Sequence, residues 1–189
     1  MIEGTLVRLR APSLDDAERG HRWINDEETA KLLNGTYYPR SRDNQAEWTR
    51  TRASKMPSFT RAPFAIDTIE GNVHIGNCDI FDASPEDRWG WLGILIGEPD
   101  YRSRGYGADA IRTLLTFAFD DMNLEAVRLQ VWSFNPRAIA CYRKCGFVEE
   151  ARLRQDLYVS GAYHDTIVMA ITRGEHAEAM AQAQKEASR

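Results

Sequence analysis

The apolar run Trp91–Ile96 is followed by a gap of eight residues, 97–104, and then by Gly105-Tyr106-Gly107-Ala108, which opens a long segment of helical period. Along that segment, about 105–122, Ile111, Leu114, Leu115, Ala118 and Met122 recur on one face. Beyond it Val127, Leu129 and Val131 alternate as in a half-buried strand. Strand, glycine turn, helix and strand in this order demand a crossover between two parallel strands of one sheet. They also put a turn of special chemistry at the start of the helix. Glycine lets the backbone turn tightly and approach a ligand closely. The first N–H groups of a helix have no partner within it, and the helix dipole favours an anion there. Arg102 and Arg104, just before the glycines, add charge-assisted contacts suited to phosphate oxygens. The turn is read as a phosphate site, and the kind of phosphate decides the function.

The flanking segments give the fold class. Thr5–Arg10 alternates as a first strand. Pro12-Ser13 starts a helix: Ser13 is the N-cap, Asp15 and Asp16 lie in the first turn, and Leu14, Ala17, His21 and Ile24 follow at helical spacing. Residues 34–41 read as a turn-rich loop, 42–55 as a second, polar helix and 56–62 as loop. Strands are expected at 63–70, 73–82 and 89–97, the first two joined at Glu70-Gly71-Asn72. Asn135-Pro136 starts a helix running through Lys144, with Asn135 as N-cap, and Gly146 ends it. Strands at about 147–158 and 163–172 form a hairpin turning at Ser160-Gly161. Antiparallel strands come first and a crossover follows. The expected architecture is therefore α+β: a mixed, mostly antiparallel sheet with helices on both faces. Residues 1–173 are read as a single domain and 174–189 as a polar tail, a surface helix or frayed end with no assigned function.

With 189 residues, 43% of them hydrophobic and 28% charged, the chain can bury one substantial core. A net charge of −4 gives no bulk attraction to nucleic acid. No apolar run approaches the ~20 residues of a membrane span. The start, Met1-Ile2-Glu3-Gly4, lacks the parts of a signal peptide. No nucleic-acid or membrane partner is expected, and a cytoplasmic location is. Cys78, Cys141 and Cys145 form no metal-like pair, and no metal is expected. Cys141 and Cys145 share a helix face and read as packing residues in a reducing compartment.

Four readings compete for the glycine turn. Gly105-Tyr106-Gly107-Ala108-Asp109-Ala110 fits G-x-G-x-x-A, the dinucleotide fingerprint. That fingerprint needs its first glycine directly after the strand and an acidic residue near the end of the next one. Here the gap is eight residues, and Glu125 stands at the beginning of the next strand. A P-loop lacks its G-x-x-x-x-G-K-[ST] pattern. The turn could also be purely structural. The reading that remains is a diphosphate held beside a strand that stays accessible.

At this point the chain resembles the GNAT superfamily of N-acetyltransferases. Arg102-x-x-Gly105-x-Gly107 matches their acyl-CoA pyrophosphate motif, approached through Pro99-Asp100-Tyr101-Arg102. Independently, Asn135 through Phe147 is similar to their N-x-x-A-x-x-x-Y-x-x-x-G-F segment. Leu6-Val7-Arg8-Leu9-Arg10 before a helix and the ending Gly161-x-Tyr163-x-Asp165 resemble the Rim-type branch, which acetylates ribosomal-protein N-termini and whose relatives acetylate small amines. The resemblance covers about residues 3–172.

It implies the GNAT acyl-CoA fold and acetyl-CoA as co-substrate. Ile94, Leu95 and Ile96 would bond the pantetheine arm as a pseudo-strand, and the backbone of Arg102, Ser103, Arg104, Gly105, Tyr106 and Gly107 would hold the pyrophosphate. Asn135 would cap its helix, reach the pantetheine, or both. Tyr142 would protonate the departing thiolate, or else pack its helix on the sheet; a phenol of pKa ~10 can serve a thiolate of ~8.5 when placed within reach. Asp156 is the first candidate for the base that deprotonates the amine, ahead of Asp79, Glu98 or a water relay. His74 is expected half-exposed on its strand, and Asp165 as a structural hydrogen-bond partner. Trp23, Asn25, Asp26, Glu27, Glu28, Tyr37 and Tyr38 would form an acceptor wall suited to a cation, or a solvated helix end. Trp89, Trp91 and Trp132 are read as core or interface aromatics. The implied activity is acetyl transfer to a primary amine, a protein N-terminus or a small amine, in a ternary complex, with a homodimer possible. The alternative is a catalytically silent CoA-binding domain of the same fold.

Overall fold

A computed structural model describes residues 1–54 and 57–187 of the chain. Its N-terminus is a small hairpin rather than one strand. Strand β1 (Ile2–Glu3) pairs antiparallel with β2 (Val7–Arg10), and the intervening turn closes with Gly4 N–H donating to Val7 O at 2.8 Å. Ser13 caps a single 3-10 turn, Leu14–Asp16, through a reciprocal capping box with Asp16. Helix α1 (Ala17–Ile24) follows and buries Trp23 and Ile24; Leu14, expected on the apolar face, lies in the 3-10 turn and stays exposed. Helix α2 (Glu27–Asn34), in a stretch given no element before the loop expected at 34–41, is capped by Asp26 and stopped by Gly35 at φ +77°. Helix α3 (Arg42–Ser54) matches the expected polar helix; residues 55 and 56, read as its end and the following loop, lie outside the described residues.

Strands β3 (Arg61–Thr68), β4 (His74–Ser84) and β5 (Trp89–Ile96) form an antiparallel meander. Most of β3 and β4 is buried on both faces, which requires cover on both sides of the sheet. That is why His74 is buried rather than half-exposed: it packs edge-on to Trp23 at 4.9 Å, with Nδ1 3.2 Å from Asp16.

Helix α4 (Tyr106–Asp120) crosses over to β6 (Ala126–Trp132), and α5 (Pro136–Lys144) leads into the hairpin β7 (Val148–Val159) and β8 (Ala162–Thr172). Ser160 and Gly161 turn that hairpin at φ +50° and +90°. The sheet has eight strands in the order β1-β2-β3-β4-β5-β6-β8-β7, and β5–β6 is its parallel pair. The mixed, mostly antiparallel sheet is the one expected. Its core gathers Leu9, Ile66, Ile75, Ile80, Leu129 and Met169 from the strands and Ile111, Leu114, Leu115 and Phe119 from α4. The chain past residue 172 is helix α6 (Arg173–Ala187), docked by its first turn: His176 is buried against Phe119, and Arg173 donates to Leu124 O at 2.8 Å.

Candidate active site

Two strands that begin as neighbours and then part create the site. Strand β5 pairs with β6 at Trp89–Trp91 only, whereas its pairing with β4 continues to Ile96. From Leu92 onward the β6-facing edge of β5 has no strand beside it. A cavity of about 920 Å³ fills the gap, floored by Leu92–Ile96 and walled by Gln130–Trp132, the turn after β5 and the inner face of α5. A strand edge inside a cavity carries backbone groups that only a ligand or water can satisfy. An amide-bearing chain lying along it meets that need as an added strand would.

At the far end of β5 the chain makes a 3-10 turn, Pro99–Tyr101, and enters α4 through Ser103 at φ +58° and Gly105 at φ +92°. Gly105 is required by that left-handed backbone rather than by crowding, since an added Cβ would meet only Leu6, at 3.4 Å. Ser103, Gly105 and Gly107 border the cavity, and the first-turn N–H groups of α4 open there.

The arginines do a different job from the one expected of their side chains. Arg102 donates to Ile96 O at 3.0 Å, to Gly97 O at 2.9 Å and to Thr29 Oγ1 at 2.9 Å. It clamps the end of β5 to α2. Arg104 is exposed and donates to Asp100 O at 3.1 Å. What this turn offers an anion is therefore its backbone N–H groups, with Arg102 adding positive potential from the cavity wall. Tyr106 packs on Tyr101 with ring centroids 5.1 Å apart.

Sequence reasoning missed the part played by Asp109. Buried in the first turn of α4, its carboxylate accepts from the backbone N–H of Thr5 (3.2 Å), Leu6 (2.7 Å) and Val7 (3.0 Å). The N-terminal hairpin is thereby fastened to the helix that begins at the phosphate turn.

Asn135 caps α5, its Oδ1 accepting from Ala138 N–H at 3.1 Å, and it also borders the cavity. Tyr142 lies in the cavity wall, edge-on to Phe147 at 6.0 Å. Burial, reinforced by Cys141 and Cys145, pushes its phenol well above the ordinary value, so it keeps its proton.

The expected bases are placed elsewhere. Asp156 is exposed on β7, outside the cavity lining, and accepts from Thr166 Oγ1 at 2.6 Å. Asp79 is buried between Arg52 (2.9 Å) and Arg61 (3.2 Å). Glu98 is held by Arg22 and by Trp23 Nε1 at 3.2 Å. Asp165 is a structural partner, accepting from Gln155 N–H at 3.0 Å and Arg152 at 3.2 Å.

The carboxylate the cavity does hold is Asp82, alone among the acidic residues in its described lining. It sits where the β4–β5 register shifts, between Phe81 and Ser84, in a left-handed backbone at φ +48°. A bulge of this kind re-aims side chains, and strain on a non-glycine residue gathers at functional sites. Trp91 and Trp132 also line the cavity, so these two aromatics border the site rather than serving only as packing. Of the expected acceptor wall, none lines the cavity. Asn25 ties itself to Arg40, Asp26 caps α2 and Glu27 pairs with Lys31, while Thr29, Leu32 and Leu33 of the same helix reach the cavity instead.

The profile of the acetyltransferase (GNAT) domain family matches residues 7–148. The SPbeta prophage-derived uncharacterized N-acetyltransferase YokL of Bacillus subtilis is 29% identical over 150 residues, 79% of this chain and 81% of that protein. The spermidine N(1)-acetyltransferase of Vibrio cholerae is 28% identical over 113 residues, 60% of this chain and 64% of that protein. The putative ribosomal N-acetyltransferase YdaF of Bacillus subtilis is 26% identical over 180 residues, 92% of this chain and 93% of that protein. Among solved structures, spermidine N-acetyltransferase from Vibrio cholerae in complex with CoA and spermine superposes with a TM-score of 0.80 at 24% identity, over 90% of this chain and 98% of that one.

Proposed function

The chain belongs to the acetyltransferase (GNAT) domain family and is an acetyl-CoA-dependent N-acetyltransferase; from that premise we propose that its acceptor is a small cationic amine of the polyamine class. The observation that carries this reading is Asp82. It is the sole carboxylate in the described cavity lining, set at the end of β5 opposite the phosphate turn, with Trp91 and Trp132 also in the wall. A carboxylate and aromatic faces together favour an ammonium over a neutral or anionic group. Similarity to spermidine acetyltransferases points the same way.

In the proposed reaction, acetyl-pantetheine lies along Leu92–Ile96 with its diphosphate on the turn 103–107. Asn135 bonds the pantetheine with the amide nitrogen that its capping role leaves over. Asp82 holds the acceptor ammonium, and the proton it must lose passes to water in the open end of the cavity. The freed amine adds to the thioester carbonyl carbon, the C–S bond breaks as Tyr142 gives its proton to the leaving thiolate, and the surplus proton on the new amide nitrogen returns through water to the Tyr142 oxygen. The silent-domain alternative gives way to the enzyme reading.

A protein N-terminus, the Rim-type acceptor, is a second reading, favoured by similarity to YdaF over 92% of the chain. An acceptor panel with acetyl-CoA and thiol detection separates the two. Turnover with spermidine and spermine, but not with peptides beginning Ala or Ser, supports the first. Turnover with the peptides alone overturns it.

A further inference from the structure

Helix α2 has eight residues and buries only Thr29 and Ala30, so its place depends on particular anchors rather than on a broad apolar face. At its C-terminal end Gly35 packs on Leu157 of β7 so closely that an added Cβ would lie 2.8 Å from a Leu157 methyl. At its N-terminal end the Thr29 side chain is buried and its hydroxyl is used twice. It donates to Asp26, the residue that caps the helix, and accepts from Arg102 at 2.9 Å. Sheet order puts β6 and β8 between β5 and β7, so α2 reaches from one side of the parted strands to the other. Leu32 and Leu33, between the two anchors, supply an apolar stretch of the cavity wall.

We propose that Thr29 is a positioning residue: through Arg102 it couples the donor turn to α2, so that a diphosphate bound at residues 103–107 fixes the α2 wall in place for the second substrate. Arg102 stands at the junction. Its backbone leads directly into Ser103, while its guanidinium donates to Ile96 O at 3.0 Å and Gly97 O at 2.9 Å as well as to Thr29. A bound diphosphate immobilises the turn, and with it the backbone from which Arg102 reaches out. The planar fork of N–H groups then keeps one direction, and Thr29 is held against it. The coupling is reciprocal: whatever strengthens the hold on α2 strengthens diphosphate binding by the same factor.

The hydroxyl makes this link, and the rest of the helix does not depend on it. Thr29 N–H donates to Asp26 Oδ1 at 2.9 Å, so the cap survives loss of the hydroxyl. The Thr29 hydroxyl and N–H hold Asp26 below the usual carboxylate range, with Arg102 assisting, and Asp26 stays charged at the end of the chain of bonds. Ala30 remains buried, and Gly35 remains on Leu157. Thr29→Val, close to threonine in shape, therefore removes the bond from Arg102 and leaves the cap, the apolar contact and the far anchor. Thr29→Ser keeps the hydroxyl and with it the link.

Hydrogen exchange of the full chain, read by peptide mass with and without CoA, tests the link. In the wild type CoA should slow exchange several-fold both at 103–109 and at 27–34. In Thr29→Val the protection at 103–109 should persist and that at 27–34 should be lost, while CoA affinity in the calorimeter falls about fivefold. Thr29→Ser should behave as the wild type. A threonine that only braced its helix would give faster exchange at 27–34 in Thr29→Val by the same factor with and without CoA, and that result overturns the proposal. So does a wild type in which CoA protects 103–109 but not 27–34, or a Thr29→Val in which CoA still protects both. The inference rests on the donor reading of the turn and not on the polyamine acceptor. No amine enters the experiment, so failure of the polyamine reading leaves it standing, and its failure leaves that reading standing. Absence of protection at 103–109 in the wild type would overturn the donor site and this inference together.

Discussion

Tyr142 and Gly105 show how single residues divide the work of the site. Removing the Tyr142 hydroxyl takes away the proton and little of the packing, because the ring stays against Phe147. Tyr142→Phe should lose ~10²–10⁴ in turnover with CoA affinity unchanged, as read by steady-state kinetics and calorimetry. Unchanged turnover would remove the phenol from the mechanism. Gly105 sits at φ +92°, where an L side chain costs about 1–2 kcal/mol. Gly105→Ala should therefore weaken CoA binding in the calorimeter by roughly tenfold as the turn relaxes away from its anion-binding shape. Both residues were legible as local motifs. Asp82 was not: period-two alternation assigns a face to every strand residue, and a bulge breaks that rule without a mark in the sequence.

At the scale of elements, the donor turn depends on two fastenings. Arg102 ties the end of β5 to α2, and Asp109 ties the start of α4 to the β1–β2 hairpin. Asp109→Ala would leave three backbone N–H groups facing a void where their acceptor was. It should cost about 3 kcal/mol in urea unfolding and weaken CoA binding as the helix start loosens. Stability and affinity both unchanged would show that the hairpin does not support the turn. The long helix α4 and the capped helix α5 were readable because periodicity and capping residues agree along them. Helix α2 was missed although Asp26 and Gly35 bracket it, because eight residues with only Thr29 and Ala30 buried give little apolar pattern. The expected wall of acidic side chains failed for the same reason: once α2 forms, Asp26 and Glu27 serve the helix itself.

The whole molecule carries a pH dependence set by buried groups where α1 and the 3-10 turn before it pack on the start of β4. Burial lowers His74 below its ordinary value, despite the nearby Asp16, so the folded state holds it neutral. The unfolded chain therefore takes up the proton first, and stability present above about pH 6.5 falls as pH drops below it. Asp16 behaves differently. Burial alone would raise it, but Arg10 and the Ser13 N–H hold it below the usual range, so its contribution is lost only as pH falls through its own lowered pKa. Urea unfolding at pH 8 and pH 5.5 should show the first loss, and His74→Gln should flatten it; a pH-independent wild type would contradict it. The mixed, mostly antiparallel character of the sheet was legible because hairpin turns and the crossover follow from local pattern; the place of β8 between β6 and β7 was not. The parting of β5 from β6 was implied by the family resemblance alone, since no local pattern marks where pairing stops. The central claim is that this parting holds acetyl-CoA while Asp82 brings a cationic amine to it. Thiol release with spermidine, compared between wild type and Asp82→Asn, tests it most directly. The KM for spermidine should rise roughly tenfold with kcat changed little, the sign of a lost binding contact; an unchanged KM, or no release with spermidine at all, would contradict it.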